Sequence, residues 1–298
     1  MKLYFTKMHG LGNDFILVEN RSLKSRRLAG LSKKLCDRRF GIGADQLLVL
    51  CDSTKADYRI RIFNADGSEV EMCGNGIRCV AKHIWESRLT PTRFRKSRVL
   101  SIETMAGIVY PEKSGTFVKV DMGEPIFAPE LIPVAISRKV KLSHLRLTKG
   151  KHSGANSRLI MNYPLKIRNK SFKITCLSMG NPHAVIVVKN TGSAAVDQYG
   201  PLIENHRLFP KRTNVEFIQI INKNNIKMRV WERGTGETLA CGTGASAAGV
   251  ASVLLGLANR KINVHLPGGK LSIQWSAIDN HVYMTGPAEK VFDGIVDI

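Results

Sequence analysis

The chain is short of cysteine, of acidic residues and of long hydrophobic runs, and each shortage narrows what it can do. Its six cysteines, at positions 36, 51, 73, 79, 176 and 241, show neither the spacing of a disulfide framework nor paired C-x-x-C knuckles. No H-E-x-x-H or similar ligand set is present, so no metal is expected. The longest apolar run, Ala245 to Ala258, falls short of the roughly 20 residues a membrane span needs and contains Ser and Gly. It reads as a buried helix, with no membrane partner. The opening MKLYFTKMHGLGNDF carries Lys2, Lys7, His9 and Asp14 and has no apolar signal-peptide core, so a reducing cytoplasm is the expected location.

Acidic residues number only 24 against 45 Lys and Arg, a formal net charge of +21. A polyanion partner would suit that sum. The excess is dispersed, however, with local densities at Arg21–Arg39, Arg93–Arg98 and Arg138–Lys173, and no zinc-finger, RRM-like or helix-turn-helix pattern accompanies it. A solvated basic surface is the reading, with no nucleic acid expected. Gly242 to Ala247 formally matches G-x-G-x-x-A, but no buried strand precedes it and no acidic residue follows about 20 positions on to hold a ribose, so a dinucleotide site is rejected. A Schiff-base lysine for pyridoxal phosphate stays open on inspection, although no lysine sits in a glycine-rich anion loop.

What is present is a duplication. Cys73-Gly74-Asn75-Gly76 returns as Cys241-Gly242-Thr243-Gly244, 168 positions further on. The same ungapped offset aligns Gly12-Asn13 with Gly180-Asn181, Gln46 with Asn214, Arg61 with Arg229, Phe63 with Trp231, Asn64 with Glu232 and Glu69 with Glu237. With 298 residues and 43% hydrophobic content, two domains of ordinary size fit. The first is expected over 1–124, joined by a C-terminal strand at 289–298, and the second over 173–288. Residues 125–172 read as a Pro-bearing linker followed by a basic excursion.

Strands are expected on either side of the HGLGND loop, at GIGADQLLVLC with Gln46 at its head, and over Tyr58–Phe63. Arg21–Phe40 has helical spacing. LSIETMAGIVYPEKSGTFVKVDMGEP reads as two strands about a Lys-Ser-Gly turn, and KLSIQWSAIDNHVYMTGP as its counterpart. Cys73 and Cys241 each stand where a polar, glycine-bearing loop gives way to a helix-like run. Partial positive charge at a helix N-terminus favours a thiolate and can hold an anion. Cys36, Cys51, Cys79 and Cys176 are read as packing.

Two thiols brought to one cleft by a pseudo-two-fold axis suit inversion at a carbon centre, one removing the α-proton and the other reprotonating the opposite face. The two helix N-termini, at Gly74-Asn75 and Gly242-Thr243, would supply donors to the substrate carboxylate, and closure of the domains would exclude water.

Asn64-x-Asp66-Gly67-Ser68 followed by Cys73-Gly74-Asn75-Gly76-x-Arg78 resembles the signature of the diaminopimelate epimerase family. KMHGLGNDF, GIGADQ, SMGNPH, TNVEF, WERGTGET and ACGTGA resemble that family's further blocks, in order, over nearly the whole chain. The resemblance implies an α+β fold of two pseudo-symmetric domains, each a curled mixed sheet around a central helix. It implies cofactor-independent interconversion of LL- and meso-2,6-diaminopimelate for lysine and peptidoglycan precursors, by a homodimer. It further implies Cys73 as proton donor and Cys241 as proton acceptor, with His183 and Glu232 supporting the thiols. Asn13, Gln46, Asn64, Asn181, Asn214, Glu232 and Arg233 would contact substrate, with Arg233 as a bidentate carboxylate clamp. The basic densities at Arg93–Arg98 and Arg138–Lys173 depart from the family pattern without touching these blocks. Ser246, where relatives often carry another small residue or cysteine, is neutral. A two-thiol racemase of cyclic imino acids is the nearest rival, and would have no use for Arg233. A dithiol redox protein is the rival from another class.

Overall fold

The computed structural model describes residues 2–19, 28–87, 90–135, 145–148 and 157–298. The chain forms two units, residues 1–121 with 285–298, and residues 122–284.

The first unit runs β1 (Lys2–Gly10), β2 (Asn13–Glu19), α1 (Leu28–Cys36), β3 (Gln46–Cys51), β4 (Tyr58–Asn64), β5 (Glu69–Val70), α2 (Gly74–Glu86), α3 (Thr92–Lys96), β6 (Ile102–Thr104), β7 (Gly107–Val109), β8 (Glu112–Ser114) and β9 (Phe117–Asp121). The second runs β10 (Leu145–Thr148), β11 (Ser157–Ile167), β12 (Lys170–Ser178), β13 (Pro182–Val187), α4 (Val196–Glu204), β14 (Asn214–Asn222), β15 (Asn225–Glu232), β16 (Gly236–Thr238), α5 (Gly242–Leu254), β17 (Lys261–Leu266), β18 (Gly269–Trp275) and β19 (Val282–Gly286). The C-terminal strand β20 (Glu289–Asp297) belongs to the first unit, where it pairs antiparallel with β1.

The first unit's sheet has the order β20-β1-β2-β3-β4-β6-β7, with β5 off β4. In the second the path β12-β13-β14-β15-β17-β18 repeats it, with β16 off β15, and β10 and β11 extend its edge. β2/β3 and β4/β6 are parallel, as are their mates β13/β14 and β15/β17. The registers repeat as well. Phe15 lies opposite Gln46 and His183 opposite Asn214; Phe63 lies opposite Glu69 and Trp231 opposite Glu237.

Strand alternation divides each unit into two apolar layers. Leu47 and Val49 of β3 face α1 with Leu28, Leu31 and Leu35, whereas Leu48 turns to the opposite face, under α2. In the second unit Val215 and Phe217 face α4 with Val196 and Ile203. α5 lies across β12, β13, β14, β15, β17 and β18, and ten of its residues are buried, which accounts for a run that is apolar on all sides. Burying each Leu, Ile or Val of these layers contributes about 1.5–3 kcal/mol.

Two sequence expectations are corrected. LSIETMAGIVYPEKSGTFVKVDMGEP forms two hairpins, β6–β7 and β8–β9, in place of one, because the Met105-Ala106 turn, closed by Thr104 Oγ1 bonds, already reverses the chain. The described parts of 125–172 are not a separate linker: Ile132, Val134, Ile160, Leu165 and Ile167 sit in the second unit's core, and β11 pairs with β12. The parts of the basic densities over 20–27, 136–144 and 149–156 lie outside the described residues. Among those described, no helix is long and apolar enough to cross a membrane.

Candidate active site

In the first unit the β1–β2 turn carries Gly12 at φ +86°, a left-handed conformation that costs a residue with a Cβ. It delivers Asn13 towards the start of α2. Cys73 caps that helix with extended backbone, and its Sγ accepts from Gly76 N–H at 3.5 Å. The Cys73 thiol lies 3.9 Å from Asn13 Oδ1, which also accepts from Asn75 Nδ2 at 3.1 Å. Gln46 and Asn64 meet across β3 and β4, Gln46 Nε2 donating to Asn64 Oδ1 at 2.9 Å. Asn64 Nδ2 in turn donates to Ser68 Oγ at 3.0 Å. Gln46 Oε1 is buried and has no hydrogen-bond partner among the described residues.

The base of this loop is ionic. Asp14 accepts from Lys7 Nζ at 2.7 Å and from both Nη of Arg38, while Asp45 accepts from Arg38 and from Asn13 Nδ2. Burial raises the Asp14 carboxyl, but Arg38 and Lys7 outweigh it and hold the group down at about 2. Arg78, wholly buried in α2, is lowered to about 10 by burial, interacts electrostatically with Cys73 and gives its Nε–H to Pro287 O at 3.1 Å.

The second unit repeats this frame with different groups. Gly180, at φ +90°, delivers Asn181, whose Nδ2 donates to Thr243 Oγ1 at 3.3 Å. Cys241 caps α5, with Gly244 N–H on Sγ at 3.4 Å and Thr243 Oγ1 at 3.5 Å. Cys241 as a whole residue is 5% exposed. Burial, then the neighbouring Glu232 carboxylate, push its thiol well above its ordinary value. The helix N-terminus is therefore overruled as an ioniser here, for two carboxylates and the loss of solvent outweigh it. Burial raises Glu232 too; its carboxylate lies within hydrogen-bonding reach of Cys241 and accepts from Thr238 Oγ1.

His183 is fully buried. Its Nδ1 stands 2.7 Å from Glu216 Oε1 and its Nε2 2.9 Å from Asn181 Oδ1. Asn214 Nδ2 donates to Pro182 O, and its Oδ1 accepts the Arg233 N–H at 2.9 Å. The exposed Arg233 guanidinium gives one bond to Lys211 O at 3.2 Å.

Within their own units, then, Cys73, Asn13 and Asn75 share one cluster with Gly74 at the helix start, and Gln46 pairs with Asn64. Cys241, Thr243, Asn181, His183 and Glu232 share another, with Gly242 opening its helix, and Asn214 ties to Arg233. Glu216 and Thr238 were missed from sequence. The available signal was a carboxylate in the buried alternation of TNVEFIQI, at the repeat mate of Leu48. Among the described residues, no group of three His, Cys, Asp or Glu could hold a metal ion.

The chain matches the family model described as diaminopimelate epimerase over residues 5–128 and 175–291, one span in each half. It is 48% identical to a diaminopimelate epimerase of Moorella thermoacetica, over 98% of each chain. A diaminopimelate epimerase of Methanococcus maripaludis is 47% identical over 99% of each. Among solved structures, a phenazine biosynthesis protein of the PhzF family from Bacillus anthracis superposes over 100% of both chains with a TM-score of 0.69 at 17% identity. A hydroxyproline epimerase from Agrobacterium vitis, solved with bound trans-4-hydroxy-L-proline, gives a TM-score of 0.66 at 13% identity over 99% of this chain and 92% of that one. At those identities the likeness is one of fold.

Proposed function

Since the chain belongs to the diaminopimelate epimerase family, we infer that it interconverts LL- and meso-2,6-diaminopimelate by proton transfer between the substrate α-carbon and two thiols. The reaction serves lysine and peptidoglycan precursor synthesis. The observation that carries the mechanism is the pair of mirrored caps: Cys73 on α2 and Cys241 on α5, each accepting from the N–H three residues on and each preceded by a left-handed glycine turn bearing an asparagine.

In one direction the Cys241 thiolate takes the α-proton, and the Cys73 thiol returns a proton to the opposite face of the planar carbanion. The next turnover in reverse exchanges the roles. Negative charge spreads from the α-carbon into the adjacent carboxylate, and the N–H groups opening α2, at Gly74 and Asn75, and α5, at Gly242 and Thr243, stabilise it. Such preorganised donors each supply several kcal/mol in a dry site. Glu232 accepts the proton that Cys241 must lose to act as base. A neighbouring carboxylate raised by burial is matched to that task. His183 supports the protonation of the thiols from its buried position.

The non-reacting end of diaminopimelate carries its own carboxylate and ammonium. Arg233 clamps the first in bidentate fashion, and Gln46 Oε1 and Asn64 offer acceptors to the second, with Asn13, Asn181 and Asn214 orienting the chain. Both thiols must stay reduced. The same family reading carries a cytoplasmic homodimer with no nucleic-acid or membrane partner, for which light scattering would return twice the monomer mass of 33.0 kDa.

The decisive experiment is incubation of reduced protein with LL-diaminopimelate in deuterated water, followed by α-proton NMR. Deuterium at the α-carbon together with the meso isomer is the expected result. Absence of exchange, with exchange on proline or hydroxyproline, would overturn the substrate assignment.

A further inference from the structure

Glu216 has no part in the reaction as drawn above. It stands in β14 between Val215 and Phe217, which face α4; alternation turns it to the other side, beneath the start of α5. There a Cβ on Gly244 would meet its Oε1 at 2.9 Å. Both Glu216 and His183 have 0% side-chain exposure, and Oε2 of Glu216 has no hydrogen-bond partner among the described residues.

The first unit shows that the fold does not need this carboxylate. At the repeat mates of His183 and Glu216 stand Phe15 and Leu48, on matching strands, and Leu48 Cδ2 fills the space under Gly76 that Glu216 fills under Gly244. A buried carboxylate is costly unless paired, so replacing an aliphatic side chain by Glu calls for a use other than packing.

Its connections supply one. From Oε1 of Glu216 the contacts run to His183 Nδ1 at 2.7 Å and from His183 Nε2 to Asn181 Oδ1 at 2.9 Å. They continue from Asn181 Nδ2 to Thr243 Oγ1 at 3.3 Å, and from there to Cys241 Sγ at 3.5 Å. The acceptor at Nε2 requires a proton on that nitrogen, so a single further proton is shared between Nδ1 and Glu216.

Building on the epimerase reading, we propose that Glu216 is a positioning residue: it anchors His183 at Nδ1, fixes the ring and its protons, and through Asn181 and Thr243 sets the donors around Cys241. The repeat mates in the first half-site, Phe15 and Leu48, carry no polar group with which to build the same chain. Loss of the anchor lets the imidazole turn and the Asn181–Thr243 pair relax, which affects the proton transfer more than substrate binding.

The test compares Glu216→Leu, which copies the repeat mate, with the near-isosteric Glu216→Gln, in the full chain. Wild type and variants are assayed for kcat and KM on diaminopimelate, and the His183 ring is followed by proton–nitrogen NMR. Glu216→Leu is expected to lower kcat about 10–100-fold with KM within about two-fold, the scale on which residues orienting a catalytic or ligating histidine act. Glu216→Gln, which keeps a hydrogen bond to Nδ1, should recover most of that loss, while the Nδ1 resonance moves in both variants. Wild-type kcat in Glu216→Leu would overturn the proposal. Should the Leu variant fail to fold, an unmoved His183 ring signal in Glu216→Gln would overturn it equally. If the wild type does not turn over diaminopimelate, the functional reading fails; the ring signals still decide whether Glu216 holds His183.

Discussion

Cys241→Ser separates the two jobs that one side chain performs. As a cap, Sγ accepts from Gly244 N–H at 3.4 Å, and a serine hydroxyl is among the preferred groups for that position. Since losing a cap altogether costs about 0.5–2 kcal/mol, exchanging one cap for another should change stability by no more than about 1 kcal/mol. In a domain of this size that is a shift of about 2–4 °C in Tm. As an acid and base, the thiol has no substitute in serine, and removal of such a group costs about 10²–10⁴-fold in rate, or about 3–5 kcal/mol of barrier. The two effects therefore differ several-fold. Tm is read by calorimetry and the rate by meso-isomer formation from LL-diaminopimelate. α-Proton exchange is scored separately, because a variant retaining Cys73 can still exchange from the face that Cys73 serves. A Tm lowered by more than about 10 °C would show that the thiol is chiefly structural. Isomerisation by the Cys73→Ser/Cys241→Ser double variant within tenfold of wild type would end the two-thiol mechanism.

Gly244→Ala should cost more activity and stability than Gly76→Ala, since its Cβ meets Glu216 Oε1 at 2.9 Å and Cys241 Sγ at 3.3 Å, whereas the Cβ on Gly76 meets the yielding Leu48 Cδ2 at 3.2 Å; equal losses would contradict the reasoning. Arg61→Ala and Arg229→Ala each remove a two-pronged carboxylate pair, to Glu69 at 2.7 and 2.8 Å and to Glu237 at 2.6 and 2.9 Å. About 1–3 kcal/mol is expected for each in urea unfolding. Arg229 should be the larger, because it also holds Thr191 O and Ala194 O. Asp14, raised by burial but brought down to about 2 by Arg38 and Lys7, titrates below its unfolded value near about 3.9. Its stabilisation is complete above about pH 4 and is lost as pH falls through about 2, so Asp14→Asn should flatten the acid limb of Tm against pH; an unaltered slope would refute the assignment.

The duplication, the fold class and the two capped helices were legible in the sequence because glycines, cysteines and polar turn residues survive in fixed spacing. The offset that aligns Cys73 with Cys241 also carries Gly74–Glu86 onto Gly242–Leu254 and Leu28–Cys36 onto Val196–Glu204. α4 itself was hidden, since VDQYGPLIE places Gly200 and Pro201 inside the helix and breaks the local propensity. β11 was masked by the charges of its flanking residues, while the inward side chains Ile160, Leu165 and Ile167 decided its place. Glu216 escaped notice for the opposite reason: strand patterning marks it as inward, and only the partner on β13 tells a buried carboxylate from an error of register. The behaviour of Cys241 was misjudged because sequence shows the helix end but not the desolvation that opposes it.

The pairing of β20 with β1 has a consequence for the order in which the molecule assembles. Along Lys2–His9 the first strand takes its outer hydrogen bonds from Glu289–Asp297, with the Phe5 ring over Gly294 and against Phe292 at 5.9 Å. During synthesis these residues are made after the whole of the second unit. The unit made first therefore waits with an open strand edge, while the unit made second can close as soon as β19 has emerged. Completion of the N-terminal half is thus a late, long-range event.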